Sequence, residues 1–261
     1  MRIEFLTEDD PIYLLPFFDE FFRHFSSEFE IQQVSLCRVM GKRPRGKLAR
    51  DLIALYGLPG FVRLASYAVL AKFLGKFSKP PRAARYHGMA QLCRAYSIPF
   101  EHVENPNAPT FIEGIRRRKS ELLVSVACPY ILKSEVLNAP PRGCINIHHA
   151  PLPRYKGMMP TFWQLYHGEK TVGVTVHYMA EKVDEGNALY QTSLEVKPGE
   201  SLHELICRSK RHGAHCVAQV IRALQDGEAR TFKLDQSTSS YFTFPTLGEI
   251  REFHHRGLRG I

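Results

Sequence analysis

The sequence predicts a doubly wound α/β domain with a mostly parallel sheet, from two short apolar runs and the helical segment between them. The runs Leu122 to Ala127 and Cys144 to Ile147 have the length and composition of buried parallel strands. Residues Ile131 to Leu137 are helical in pattern, and Met1 to Thr7 predicts the first strand. At 261 residues and 44 % hydrophobic, the chain can bury a full α/β core as one domain with an appendage.

The turn after the first strand, Thr7-Glu8-Asp9-Asp10-Pro11, is acidic and leads into a predicted helix from Ile12 to Phe25. Three carboxylates repel a phosphate, so phosphate binding is not expected at this turn. The turn either faces a cationic amine or caps the helix, and the capping interpretation is favoured.

A basic helical insert is predicted from residue 40 to residue 82, in the amino-terminal half. Much of the net charge of +9 lies at its start, at Arg38, Lys42, Arg43, Arg45, Lys47 and Arg50. This run is consistent with three interpretations: a solvated loop, a segment that binds a phosphate or nucleotide sugar, or a segment that binds RNA. The string Gly41 to Lys47 matches G-x-x-x-x-G-K, but Leu48 replaces the Ser or Thr that would hold Mg²⁺, so nucleotide hydrolysis is not predicted.

Two amphipathic helices, Leu48 to Tyr56 and Phe61 to Phe77, are predicted on either side of a hinge at Gly57 to Gly60. Basic residues are interspersed among their apolar ones. We expect these helices to pack over the core or against a second copy of the chain in a homodimer. Binding to an anionic membrane surface is a further alternative.

The six cysteines form no C-x-x-C pair and no secreted framework, which favours a reducing, cytoplasmic setting. We expect no signal peptide, because Met1 to Thr7 runs directly into acidic residues. No uninterrupted apolar segment approaches the roughly 18 residues that a membrane span needs. The sequence therefore predicts a protein that is soluble or at most peripheral, with no transmembrane segment.

The long helix predicted from Ser201 to Asp226 carries histidines and cysteines at helical spacing, yet its apolar face marks it mainly as a core helix. No metal is assigned. We place a domain boundary after it, giving a unit 1–228 and a tail 229–261 with a short strand or hairpin and a final helix from Leu247 to His255. The tail aromatics Tyr241, Phe242 and Phe244 line an acceptor pocket or staple the tail to the core, and stapling is favoured.

Residues 144 to 190 are the one part of the chain whose residue pattern indicates a specific reaction. Asn146 and His148 alternate onto one face at the end of a predicted strand, and that edge is where open α/β sheets bind their ligands. Leu152 to Gly157 follow, and Asp184 comes after a predicted strand from Gly173 to Met179. Together these pieces resemble the active-site segment of the formyltransferases that use 10-formyltetrahydrofolate. The resemblance spans about residues 85 to 228. Within that family, the chain is most similar in character to the sugar N-formyltransferases, which have a Rossmann-like fold.

The resemblance implies that Asn146, His148 and Asp184 are catalytic. Formyl transfer to an amine passes through a tetrahedral centre, so the site must stabilise an oxyanion and remove a proton. Asn146 would donate to the oxyanion. His148 would share that contact and relay protons, and Asp184 would orient the imidazole and help to deprotonate the amine. His149 has no counterpart in the family and is interpreted as structural or accessory.

The resemblance also implies a folate site between two loops. The first loop contributes Cys128, Tyr130, Ile131 and Leu132, and the second contributes Lys182, Val183 and Asp184. Backbone groups would bind the edge of the pterin. Ile131, Leu132 and Val183 would contact its faces.

The favoured acceptor is a small-molecule primary amine, an amino sugar carried on a nucleotide, and contact with nucleic acid is not favoured. The acceptors that stay open are methionyl-tRNA, glycinamide ribonucleotide and water. A different class of function also stays open, in which a non-catalytic or peripheral membrane protein uses the same fold for binding. The intact Asn146, His148 and Asp184 argue against that class.

Overall fold

The computed structural model describes residues 1–37, 44–77 and 85–261, and it confirms the α/β class. The strands are β1 (Arg2–Glu8), β2 (Glu30–Cys37), β3 (Phe100–Val103), β4 (Leu122–Val126), β5 (Cys144–His148), β6 (Lys156–Gly157), β7 (Thr171–Tyr178), β8 (Ala188–Glu195) and β9 (Tyr241–Phe242). The helices are α1 (Leu15–Phe25), α2 (Arg45–Phe77), α3 (Met89–Ala95), α4 (Pro109–Arg117), α5 (Ser134–Leu137), α6 (Pro160–Tyr166), α7 (Leu202–Asp226) and α8 (Leu247–His255).

Seven strands form the central sheet in the order β3-β2-β1-β4-β5-β7-β8. The first five are parallel, while β7 runs antiparallel to β5 and β8 antiparallel to β7. Strand β1 lies between β2 and β4, so the chain winds in both directions from it. The carboxyl ends of β1, β4 and β5 therefore share one edge, where Thr7 pairs with Val126 and Val126 with Ile147.

Helices α1 and α7 cover one face of the sheet, and α4 and α5 cover the other. The aromatic residues of α1 recur at helical spacing and are fully buried, at Phe17, Phe18, Phe21 and Phe22. The rings of Phe18, Phe21 and Phe22 pack edge-on around Phe5 of β1, and the closest centroid, that of Phe21, lies 5.0 Å away. This aromatic layer fixes α1 on the sheet and thereby places the turn that precedes it.

The two helices predicted in the insert form one helical run, α2, with a break at Gly57. The backbone there has φ 69° and ψ 160°, a conformation that favours glycine, and Pro59 follows within the run. The predicted hinge is confirmed. Leu55, before the break, is fully buried with Ile250 and Phe253 of α8. The cationic residues Arg38, Lys42 and Arg43 lie outside the described residues.

Beyond the break, α2 presents exposed apolar side chains. By length and composition alone, Gly46–Leu74 is long and apolar enough to cross a membrane, and 17 % of its most apolar window is buried. Such a helix was not predicted from the sequence, because Arg63 and Lys72 interrupt the apolar run. A single helix that passes this test is weak evidence for a membrane span.

Phe242 packs the carboxy-terminal tail against the core, as predicted from the sequence. Its ring stacks on Trp163 of α6 at 4.7 Å and on Tyr155 at 5.6 Å. The Trp163 indole N–H donates to the carbonyl of Thr243 at 2.9 Å. Tyr241, by contrast, is 62 % exposed.

Candidate active site

The catalytic candidates meet at the end of β5. Asn146 and His148 lie on the same face of this strand, and the antiparallel register of β7 places His177 directly opposite Asn146. The Asn146 amide nitrogen Nδ2 is 3.3 Å from His177 Nε2. His177 was not predicted.

Asp184 bridges the two histidines. Its Oδ2 is 3.6 Å from His148 Nδ1 and its Oδ1 is 3.6 Å from His177 Nε2. The backbone N–H of Gly157 donates to Oδ2 at 3.3 Å. Asp184 has a left-handed backbone with φ 55°, which is uncommon outside glycine and marks a position held by its surroundings.

Hydrogen bonding to carbonyl groups sets the ring orientations. His148 Nε2 donates to the Tyr155 carbonyl at 2.8 Å, so its Nδ1 faces Asp184. His177 Nδ1 donates to the Tyr178 carbonyl at 2.8 Å, so its Nε2 is free to accept from the Asn146 amide. Burial lowers the pKa of His177, although Asp184 opposes the shift. A neutral His177 thus fixes the Asn146 amide, while His148 Nδ1 faces the Asp184 carboxylate.

The loop that carries Asp184 requires a glycine two residues later. A Cβ on Gly186 would lie 1.7 Å from the Tyr178 carbonyl oxygen at the end of β7. This close approach is the physical reason for a glycine at this position of the motif.

The residues predicted for folate lie on the two expected loops but differ in exposure. Ile131 is 65 % exposed, Val183 is 43 % exposed, and the Lys182 side chain is well exposed, so all three are available to a ligand. Leu132 is only 2 % exposed and packs in the core with Leu123. The structure therefore places Leu132 beneath the loop surface.

The first of these loops is held by hydrogen bonds. Asn107 Nδ2 donates to the Ile131 carbonyl at 3.0 Å, and its Oδ1 accepts from the Lys133 N–H at 2.8 Å. The Cys128 thiol lies 3.8 Å from the Tyr130 carbonyl, and the Tyr130 hydroxyl donates to the carbonyl of Glu104. Because the loop is pinned in this way, α5 begins only at Ser134, and the helix predicted from Ile131 was wrong over its first three residues.

The acidic turn after β1 does not cap α1, which begins at Leu15 with Leu14 at its N-cap and no side-chain cap hydrogen bond, so the helix predicted from Ile12 was wrong over its first three residues. Asp10 Oδ1 accepts from the N–H groups of Ile12 at 2.7 Å and Tyr13 at 3.2 Å, in the turn that leads into α1. Burial and the neighbouring Asp10 charge together raise the pKa of Glu8 to about 7, although Lys210 opposes the shift. Burial lowers the pKa of Lys210 to about 8, although Asp10 and Glu8 oppose this shift.

His149 packs away from the catalytic cluster, against α7. Its Nδ1 is 2.9 Å from the Ser209 hydroxyl, and its Nε2 has no hydrogen-bond partner among the described residues. Burial holds its pKa well below the usual range, and the Lys210 charge adds to that effect. Within the same described part of the chain, no three His, Cys, Asp or Glu side chains form a group that could hold a metal.

Comparison with known proteins decides the family. The formyl transferase family model matches residues 80–221, more than half of the chain. The chain belongs to the formyl transferase family. The methionyl-tRNA formyltransferase of Syntrophus aciditrophicus is 37 % identical over 147 residues, which are 56 % of this chain and 47 % of that protein. The chain thus spans about half the length of the curated relatives that it matches.

Two solved structures show the fold of a formyl transferase. Glycinamide ribonucleotide transformylase 1 from Symbiobacterium toebii is 18 % identical with a TM-score of 0.58, covering 90 % of this chain and 94 % of its own. The sugar 3N-formyl transferase WlaRD, solved in the presence of dTDP and 5-N-formyl-THF, is 15 % identical with a TM-score of 0.59. It covers 93 % of this chain and 69 % of its own.

Two residues of this candidate site, His177 and Asn107, were not predicted from the sequence. The sequence feature that could have identified His177 is the alternation of side chains along β7, which puts His177 on the same side of that strand as Thr175. The signal for Asn107 was its place beside a proline, in a short polar segment typical of a turn.

Proposed function

We propose that this chain transfers a formyl group from 10-formyltetrahydrofolate to a primary amine. The observation that carries the proposal is the cluster in which the Asp184 carboxylate lies between His148 and His177, with the Asn146 amide beside them. It occurs in a chain of the formyl transferase family.

The cluster supplies the groups that the reaction needs. The amine nitrogen attacks the formyl carbon, and the carbonyl oxygen becomes an oxyanion that the second N–H of the Asn146 amide can contact, while both ring nitrogens of His148 are occupied by the Tyr155 carbonyl and Asp184. A proton leaves the amine towards the pair of His148 and Asp184. The bond between the formyl carbon and N10 of the folate then breaks, and that nitrogen takes up a proton. The products are tetrahydrofolate and the N-formyl amine.

The folate is expected to lie between the loops of Ile131 and Val183, whose exposed apolar side chains suit the faces of a pterin. Cys128, Tyr130 and Lys182 border the same space through their loops, and Asp184 joins it to the catalytic cluster. Leu132 would support this slot from below.

For the acceptor, an amino sugar on a nucleotide is favoured. The acidic turn after β1 disfavours a phosphate close to it, because Glu8, Asp9 and Asp10 place three carboxyl groups there. The same carboxylates suit an amine. WlaRD, which shares the fold, is a sugar formyl transferase solved with dTDP.

A second acceptor, methionyl-tRNA, is favoured by a different observation. The relatives of up to 37 % identity are methionyl-tRNA formyltransferases, and the chain carries a net charge of +9 that would attract RNA.

The test is a transfer assay in which purified protein and 10-formyltetrahydrofolate meet three acceptors separately: nucleotide-linked amino sugars, glycinamide ribonucleotide and methionyl-tRNA. Mass spectrometry would detect the formylated product. Asp184→Asn should lower kcat by about 10²-fold or more while folate binding stays within a few fold. Asp226→Asn, at the end of α7, is the matched control and should retain the wild-type rate.

The absence of folate-dependent product with every acceptor, or a wild-type rate in Asp184→Asn, contradicts the proposal. Release of formate without an acceptor at a comparable rate would assign hydrolysis instead. Product with methionyl-tRNA alone would replace the amino sugar as acceptor.

A further inference from the structure

A second cavity, of about 640 Å³, lies on the outer side of α1 and α7, where the insert helix α2 covers them. Its volume is in the range of small-molecule sites. Side chains from three helices, from Pro11 and Ile12 in the turn before α1, and from residues 85 and 86 line it, and none of Asn146, His148 and Asp184 is among them. It is therefore a separate space from the catalytic cluster.

The cavity is strongly cationic. Four arginines line it, Arg23, Arg63, Arg85 and Arg211, with Asp19 as the acid among them. Arg23 binds Asp19 at 3.1 Å, and the other three guanidinium groups form no ion pair with a carboxylate within the described ranges.

Three guanidinium groups around one space concentrate positive potential in it. His203 also lines the cavity. Burial lowers the pKa of His203, and the Arg63 charge lowers it further.

The remaining lining is apolar and aromatic. Ile12, Leu15 and Leu64 contribute aliphatic surface, and Arg85 lies 5.7 Å from the centroid of the Tyr67 ring. A planar guanidinium presents forked donors that match phosphate oxygens, and one held against a ring is already oriented. The lining thus suits a ligand with an anionic head and an apolar part.

We propose that this cavity binds a phosphate-bearing ligand, with Arg63, Arg85 and Arg211 as the residues that contact the phosphate. The proposal goes beyond formyl transfer, since it concerns a second site and does not depend on the acceptor. The phosphate can come from a soluble ester or from the head group of an anionic lipid.

The lipid source has its own structural support in α2. The same helix that turns Arg63, Leu64 and Tyr67 to the cavity exposes Val62 and Val69 to solvent. From residue 52 to residue 74 its sequence contains no acidic residue. Such a helix can rest on an anionic bilayer and bring a head group to the arginines.

The test compares wild type, the double variant Arg63→Gln/Arg211→Gln and the control Arg116→Gln. Arg116 lies in the last turn of α4, on the opposite face of the sheet, and is exposed. One arm titrates inorganic pyrophosphate by calorimetry. The other measures co-sedimentation with vesicles of phosphatidylcholine and phosphatidylglycerol in equal parts, against vesicles of phosphatidylcholine alone. Circular dichroism checks folding, and Arg63→Lys/Arg211→Lys serves as a variant that keeps the charge.

We expect pyrophosphate to bind the wild type and the Arg116→Gln control equally, and the double glutamine variant at least tenfold more weakly. The lysine variant should lie between them, because it keeps the charge and loses the fork. Sedimentation only with the anionic vesicles, lost in the double glutamine variant, would support the site with a lipid head group as the source.

The control removes one positive charge and the double variant removes two, so a loss of binding free energy in the control that is half of the loss in the double variant would mean that only the net charge acts, and would overturn the proposal. The absence of binding in both arms would overturn it as well. Folate binding, measured in the same samples, is expected to be unchanged in the double variant, so failure at this site is distinguishable from failure of the formyl transfer proposal.

Discussion

At the catalytic cluster, the orientation of the Asn146 amide depends on His177. The neutral ring accepts from the amide through Nε2, because its Nδ1 is committed to the Tyr178 carbonyl. We predict that His177→Leu lowers kcat about tenfold or more, since the amide loses its acceptor. His177→Gln, which offers an amide oxygen, should retain more of the rate. Steady-state kinetics of both variants checks this, and a wild-type kcat in His177→Leu would refute the positioning role.

The candidate site was predictable where residue type and spacing carried it. Asn146, His148 and Asp184 form a pattern that the sequence displays, and the structure brings them together. His177 was hidden because a single histidine in an apolar strand is most often a packed side chain. Only the antiparallel register of β7 against β5 places it opposite Asn146.

At the scale of elements, the loop between β7 and β8 positions Asp184 through a close backbone approach. A Cβ at Gly186 would meet the Tyr178 carbonyl at 1.7 Å, so Gly186→Ala must displace the loop. We predict that this variant loses most of its kcat while its sheet stays folded by circular dichroism.

Gly88→Ala is the matched control for that displacement. A Cβ at this extended position meets nothing within 4 Å, so its rate should equal the wild-type rate. Comparable activity in the two alanine variants would show that the loop does not depend on Gly186.

The boundaries of the strands were predicted from the sequence more accurately than their directions. The apolar runs that became β4 and β5 were found within one residue at each end, because full burial leaves an uninterrupted apolar run. The direction of β7 could not be predicted, since parallel and antiparallel strands share the same alternation. Helix α5 was overestimated because the contacts of Asn107 with the preceding loop are not local in sequence.

At the scale of the whole molecule, buried histidines should make stability depend on pH. Burial lowers the pKa of His149, His177, His203 and His212 below 6.5, so they stay neutral in the folded protein. The unfolded chain takes up protons near pH 6.5, and stability is therefore lost as the pH falls through that value. Glu8, whose pKa is raised to about 7, acts oppositely, because its contribution falls as the pH rises from about 4.5 to about 7.

We predict that the free energy of unfolding rises between about pH 5.5 and about pH 7.5. His149→Gln should make the rise shallower, by at most about 1.4 kcal/mol per pH unit, and Glu8→Gln should make it steeper. Urea titrations across this range measure both slopes. A slope unchanged in His149→Gln would contradict a neutral buried imidazole.

The arginine cavity belongs to this scale too, and no sequence pattern could reveal it. Its cations come from α1, α2, α7 and residue 85, which are far apart along the chain, and only packing brings them to one space. Half of the basic run that the sequence did display at the start of the insert, namely Arg38, Lys42 and Arg43, lies outside the described residues.

The most direct test of the proposed function is calorimetric titration with 5-formyltetrahydrofolate, a stable analogue of the formyl donor. Ile131→Trp bulks an exposed residue of the proposed slot, and Leu58→Trp makes the same change at an exposed position of α2. We predict micromolar binding to the wild type and to Leu58→Trp, and loss of binding in Ile131→Trp. No binding to the wild type, or undiminished binding to Ile131→Trp, would contradict a folate site between these loops.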